Sequence, residues 1–205
     1  MVTARTGRST SLALLRHGPT PWTEDRRLQG HTDISLSRDG RAQVASWSIP
    51  LEVRDYRLVS SPLRRAVETA RLLLGRDPAV EPRLKEMNWG RWEGRRLAEL
   101  RGELGADMVA NEARGLDFRP DGGESPREVL DRLHPWLVEI ATAGEPILAV
   151  THKSVIRALV ARATGWHMTG KAPAKVRWGA LQLMQVDAGG GLVVEGLDVL
   201  ADENA

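Results

Sequence analysis

The chain has 205 residues, 41% of them hydrophobic and 27% charged, enough to bury a core, and no linker, repeat or low-complexity tract divides it. The absence of cysteine excludes a disulfide framework, thiolate metal ligation and thiol redox chemistry. Its 29 basic and 27 acidic residues leave a net charge of +2; without basic clusters interleaved with aromatics, nucleic acid is not an expected partner, whereas a small acidic ligand is.

Residues 1–10 are expected to form a flexible tail. They carry Arg5 and Arg8 but no apolar run of signal-peptide length, and no stretch approaches a membrane span. The expectation is a cytoplasmic protein with no membrane partner, folded as a single domain over residues 11–200.

A strand-like apolar run over residues 11–15 ends in Arg16-His17-Gly18. Ser37 is placed to cap a helix carrying Val44, Ala45 and Trp47, limited by Pro50. Residues 57–60 read as a second strand. Ser61-Pro62 then supplies a cap and a first-turn proline ahead of the helical spacing Leu63, Ala66, Val67, Ala70 and Leu74, with Gly75 as the stop. Residues 91–123 are the least regular and are expected to form a lid or substrate-selecting insertion. Ser125-Pro126-Arg127-Glu128 is a capping box, followed by a buried stripe that Pro135 is expected to kink or interrupt.

Residues 146–151 form another strand-like run ending in His152, and Val155, Ile156, Leu159, Val160 and Ala163 follow at helical spacing up to Gly165. Two apolar segments, residues 181–186 and 192–199, flank Asp187-Ala188-Gly189-Gly190-Gly191 and read as a hairpin. Strands alternating with helices predict an α/β fold: a three-layer α/β/α sandwich with a mostly parallel central sheet and an antiparallel edge hairpin at the C-terminus.

Parallel strands ending in His17 and His152 would bring both imidazoles to one sheet edge, where open α/β sheets place their sites. Neutral imidazole is a good nucleophile at phosphorus and yields a labile phosphoramidate, which makes His17 the candidate nucleophile. Arg16 can hold two phosphate oxygens in fixed geometry, and Gly18 permits close backbone approach. Arg65 falls in the first turn of a helix that follows a strand, just before the buried position Ala66, while Arg64 is assigned to the surface. His152, at a helix N-terminus, is the candidate phosphate clamp. Glu86 precedes an aromatic stretch that would desolvate it, the condition for protonating a leaving alkoxide.

Other residues receive plainer assignments. Trp89 and Trp92 are expected to pack the insertion and Lys153 to face solvent. His31, His134 and His167 lack partners at ligand spacing, so no metal site is expected. Arg91, Arg95, Arg96, Arg114 and Arg119 decorate the insertion, mostly solvated, with one or two placed to read an anionic substrate group.

Over residues 14–159 the chain resembles the histidine phosphatase superfamily, the phosphoglycerate-mutase-like group, and within it the phosphatase branch. The matches run in order: Arg16-His17-Gly18-Pro19-Thr20-Pro21-Trp22, Arg27-Leu28-Gln29-Gly30-His31-Thr32-Asp33, and Ser61-Pro62-Leu63-Arg64-Arg65-Ala66-Val67-Glu68-Thr69-Ala70. Leu84-Lys85-Glu86, Gly90-Arg91-Trp92-Glu93-Gly94, Gly123-Glu124-Ser125 and Val150-Thr151-His152 follow. The resemblance implies a phosphohistidine at His17, catalytic roles for Glu86 as general acid and for His152, and phosphate binding by Arg16, Arg65, Thr23 and Gln29, with no cofactor. Two positions depart from the family's habit: Thr23 stands where asparagine is common, and Lys153 follows the second histidine.

The expected activity is metal-independent phosphomonoester hydrolysis of a small phosphorylated metabolite. A phosphoglycerate-type mutase is the alternative, disfavoured by chain length, and a phosphate-binding module without turnover is the third. A homodimer stays open.

Overall fold

The computed structural model describes residues 9–199; the expected tail over residues 1–8 lies outside them. The elements are β1 (Thr10–Arg16), α1 (Pro21–Glu24), α2 (Arg38–Ala45), α3 (Leu51–Arg54), β2 (Arg57–Ser60), α4 (Arg64–Leu74) and β3 (Ala79–Val80). They continue with α5 (Leu97–Glu112), α6 (Pro126–Ala143), β4 (Ile147–Thr151), α7 (Lys153–Thr164), β5 (Leu181–Val186) and β6 (Leu192–Val199). Thr10, assigned to the tail from sequence, is buried and pairs with Val186, so the sheet claims it.

Six strands form one sheet in the order β3-β2-β4-β1-β5-β6. The first four are parallel, β5 runs antiparallel to β1, and β6 closes the edge as the second arm of the expected hairpin. Because side chains alternate across a strand, β1 sends Leu12 and Leu14 to one face and Ala13 and Leu15 to the other. In β4, Ile147 and Ala149 join the first pair, while Leu148 and Val150 join the second. The first face is covered by α6 and α7 through Val129, Leu133, Leu137, Ile156 and Leu159; the second packs against Val53 of α3 and Ala66 and Ala70 of α4. A sheet buried on both faces reads as short continuous apolar runs, which is how these strands announce themselves.

Local signals explain most helix ends. The Ser125 hydroxyl and Glu128 carboxylate form the reciprocal capping box, Ser37 caps α2, and Gly75, Gly144 and Gly165 end their helices in the left-handed region. Three expectations change. Helix α4 begins at Arg64, with Leu63 in extended conformation, so Pro62 lies outside it; the first amide is capped by Asp33, 31 residues earlier, at 2.8 Å from Arg64 N. Pro135 does not interrupt α6, which runs through it with the proline on its exposed face. The insertion holds a helix, α5, kinked at Gly105; its sequence hides it because only Leu100 and Met108 are buried while Leu104 and Val109 are exposed. Among the described residues no helix is long and apolar enough to cross a membrane.

Two glycines give opposite predictions. A β-carbon at Gly40 in α2 would lie 2.1 Å from the Pro19 carbonyl oxygen, whereas one at Gly102 in α5 meets nothing within 4 Å. Gly102→Ala should therefore stabilise by about 0.5–1 kcal/mol, the usual helix preference. Gly40→Ala should destabilise by about 1–3 kcal/mol despite the same preference, because the loop after His17 must shift. Urea unfolding of the two variants checks both signs.

Candidate active site

The parallel pairing of β1 with β4 sets Arg16 opposite Thr151 and continues one residue further, His17 N donating to Thr151 O at 3.0 Å. Strand register alone therefore delivers His17 and His152 side by side, with ring centroids 5.0 Å apart. On the other side of β4, β2 ends at Ser60 and the chain turns into α4, placing Arg65 in the first turn. The two histidines and Arg65 are all buried.

Ring chemistry follows from the neighbours. His17 Nδ1 lies 2.7 Å from the Gly18 carbonyl, an acceptor, so Nδ1 carries the proton and Nε2 keeps its lone pair. Burial, then the positive charges of Arg65 and Arg16, hold the His17 imidazole well below its usual protonation range. His152 is driven the same way by burial and Arg65. Its Nε2 sits 2.7 Å from Ser61 Oγ, and its Nδ1 is buried without a partner. With Ser61 donating to Nε2, Nδ1–H is free for an anion.

Arg65 is fully buried yet touches no carboxylate among the described residues. Its terminal nitrogens donate to the carbonyls of Thr32 and Gly30 at 2.9 and 2.8 Å, and Nε is left without a partner. Arg64, by contrast, is exposed, as its position before the buried stripe predicts. Burial pushes the Arg16 guanidinium down to about 10, partly offset by Glu86, and its Nε is also buried and unpartnered. A β-carbon at Gly18 would lie 2.3 Å from Val44 Cγ2, so the glycine also makes room for α2.

Glu86 is buried, and its carboxylate accepts from Met87 N at 2.8 Å and from Ser154 N, in the first turn of α7, at 3.2 Å. Trp89 and Trp92 stack on each other and both meet Phe118 at an angle, packing the insertion as expected of the tryptophans. The Glu86 peptide is fixed from behind: its carbonyl accepts from His31 Nε2 at 2.9 Å and from Arg132 at 3.3 Å. Arg132 also binds the carbonyls of Lys85 and Arg83 and is held by Glu124 at 2.7 Å. No sequence signal marked Arg132, a helix residue among many arginines. Glu93, the acid of Gly90-Arg91-Trp92-Glu93-Gly94, accepts from the amides of His31, Thr32 and Trp89 and so ties the carbonyl-bearing loop of Arg65 to the insertion.

Thr23 and Gln29 are turned toward each other. Gln29 Nε2 donates to Thr23 Oγ1 at 2.8 Å, and Thr20 Oγ1 donates to Gln29 Oε1 at 2.9 Å, closing a triangle around the cap of α1. Lys153 is exposed, as expected. Most of the insertion's cations are paired: Arg91 with Asp121, Arg95 with Glu103, Arg96 with Glu99, Arg101 with Glu112 and Arg119 with Glu128, while Arg114 is exposed. A residue the sequence reading passed over, Trp178, lies with its ring centroid 3.5 Å from Arg16 Cζ.

The arrangement gathers two buried imidazoles, two guanidiniums and a carboxylate at one sheet edge, and it has clear relatives. The profile of the histidine phosphatase superfamily, branch 1, matches residues 12–198. A glucosyl-3-phosphoglycerate phosphatase from Mycolicibacterium vanbaalenii is 34% identical over 169 residues, 75% of this chain and 74% of that one. A 2,3-bisphosphoglycerate-dependent phosphoglycerate mutase from Gloeobacter violaceus is 30% identical, with 73% of each chain covered. The solved structure of an alpha-ribazole phosphatase from Shigella flexneri superposes with a TM-score of 0.75 at 26% identity, over 95% of this chain and all of that one.

The two depressed imidazoles make stability depend on pH in a definite direction. Below the ordinary value of 6.5 the unfolded chain binds protons at positions 17 and 152 that the native state refuses. The ligand-free protein should therefore be most stable above about pH 6.5 and lose up to about 1.4 kcal/mol per pH unit per histidine as the pH falls further. Denaturant melts at pH 7.5, 6 and 5 check this, and replacing both histidines by Asn should flatten the curve.

Proposed function

Because the chain belongs to the histidine phosphatase superfamily, we propose that it is a metal-independent phosphomonoester hydrolase acting on a small phosphorylated metabolite through a phosphohistidine at His17. One observation carries this reading. Among the described residues three buried side-chain nitrogens lack a partner, Arg16 Nε, Arg65 Nε and His152 Nδ1, and all three belong to this pocket. Unpaired buried donors on cationic or imidazole groups cost stability unless an anion completes them.

In the first step His17 Nε2 attacks phosphorus, the ester P–O bond breaks, and protonated Glu86 gives its proton to the departing alkoxide. Water then attacks the phosphorus of phosphohistidine, Glu86 takes its proton, the P–N bond breaks, and inorganic phosphate leaves. Arg16, Arg65 and His152 offset the charge on the equatorial oxygens in both steps, the part a metal ion plays elsewhere. For Thr23 and Gln29 to bind phosphate as the resemblance implies, their triangle with Thr20 must open; closed, they shape the loop after His17.

Hydrolysis and phosphoryl return to an isomer have similar support from the relatives, since phosphatases and a mutase stand at comparable identity. The insertion favours hydrolysis. A mutase must hold an anionic intermediate while it reorients, and most of the arginines placed to hold it are paired with Asp121, Glu103, Glu99, Glu112 and Glu128, leaving Arg114. Residues 91–123 act in this reading as the substrate-selecting insertion.

Rapid-quench labelling in EDTA tests the scheme. Wild type should trap an acid-labile, base-stable phosphoenzyme, and His17→Ala should trap none. Glu86→Gln should slow phosphoenzyme formation from an alkyl phosphate by about 10²–10⁴-fold, but far less from p-nitrophenyl phosphate, whose leaving group needs no proton. Label persisting in His17→Ala, or a burst that requires added metal, would overturn the proposal.

A further inference from the structure

We infer that Trp178 is a positioning residue for the phosphate clamp: by stacking on Arg16 it fixes the plane in which that guanidinium presents its donors, so that the segment before β5 sets phosphate affinity. The inference rests on the phosphate-binding role given to Arg16 above.

The geometry begins with strand register. The antiparallel pair of β1 and β5 ends with Leu15 opposite Leu181, so Trp178, three residues before Leu181, is carried past the end of the ladder, to where Arg16 and His17 emerge. Gly179 fixes the approach. It has φ +71°, and a β-carbon there would already touch the Trp47 ring at 3.1 Å, so the backbone lies directly on Trp47 and Trp178 is directed to the other side. There its ring covers Arg16, centroid to Cζ 3.5 Å, and meets the His17 ring at 6.0 Å and 65°.

A guanidinium has donors only in its plane, and an aromatic face against it leaves them all directed edgewise. Arg16 makes no ion pair among the described residues, and its Nε is buried and unpartnered. Stacking is thus the contact that defines its orientation before an anion arrives. Holding that orientation removes part of the ordering cost of binding and strengthens a bidentate contact without touching the reacting atoms. The effect falls on binding of every phosphate-like anion rather than on proton transfer to the leaving group.

Vanadate and inorganic phosphate are the probes, measured by calorimetry on the purified chain alongside steady-state kinetics. Trp178→Ala and Trp178→Leu should each weaken vanadate binding about tenfold and raise KM for p-nitrophenyl phosphate in step, with kcat changed no more than about twofold. Trp178→Phe should recover most of the loss. In an Arg16→Lys background, which has no planar cation to orient, Trp178→Ala should add little. Circular dichroism and melting confirm that each variant is folded; if Ala is not, Leu carries the comparison with Phe. Unchanged vanadate affinity in the Leu variant, a fall in kcat at constant KM, or full additivity with Arg16→Lys would overturn the inference. Tight vanadate binding with no turnover of any phosphomonoester would instead count against the hydrolase reading and leave the role of Trp178 to be decided by the binding data.

Discussion

A guanidinium buried without a carboxylate in contact is the constraint around which the site is arranged. Arg65 is removed from water and held only by the carbonyls of Gly30 and Thr32, with Glu86, Asp33 and Glu93 acting on it electrostatically. Removing such a charge from water costs several kcal/mol, on the order seen for buried ions, and neutral acceptors recover only part of it. The loop over residues 29–33 is shaped to present those carbonyls, and Glu93 and Asp33 pin it at either side. Burial, and after it the same buried charge, holds the His17 and His152 imidazoles well below their usual protonation range.

Much of this was legible in the chain. Short apolar runs ending in polar residues located β1 and β4, because strands buried on both faces have no alternation to show. The choice of Arg65 over Arg64 followed from a one-residue step along an amphipathic helix, and burial agrees with it. What the chain hid depends on contacts between distant segments. Asp33 capping α4, Arg132 clamping the peptides before Met87, and Trp178 reaching Arg16 span 31, 46 and 162 positions, and no local pattern encodes them. Pro62 follows the local habit of a first-turn proline, whereas an extended Leu63 leaves it outside the helix.

The division of labour in the fold follows from the same contrast. Strand ends and helix starts, fixed by the core, hold the groups to which the proposed function assigns the chemistry. The insertion pairs most of its own arginines, and the segment before β5 adds an aromatic face to Arg16. In that reading chemistry belongs to the sheet edge and selectivity to what is laid over it.

The central claim is that His17 waits as a neutral imidazole with its proton on Nδ1 and its lone pair on Nε2. Nitrogen-15 NMR of histidine-labelled, ligand-free protein reads this directly. The account predicts a His17 ring in the Nδ1–H tautomer that stays neutral well below pH 6.5. A His17 that titrates at or above 6.5, or that carries its proton on Nε2, would contradict it.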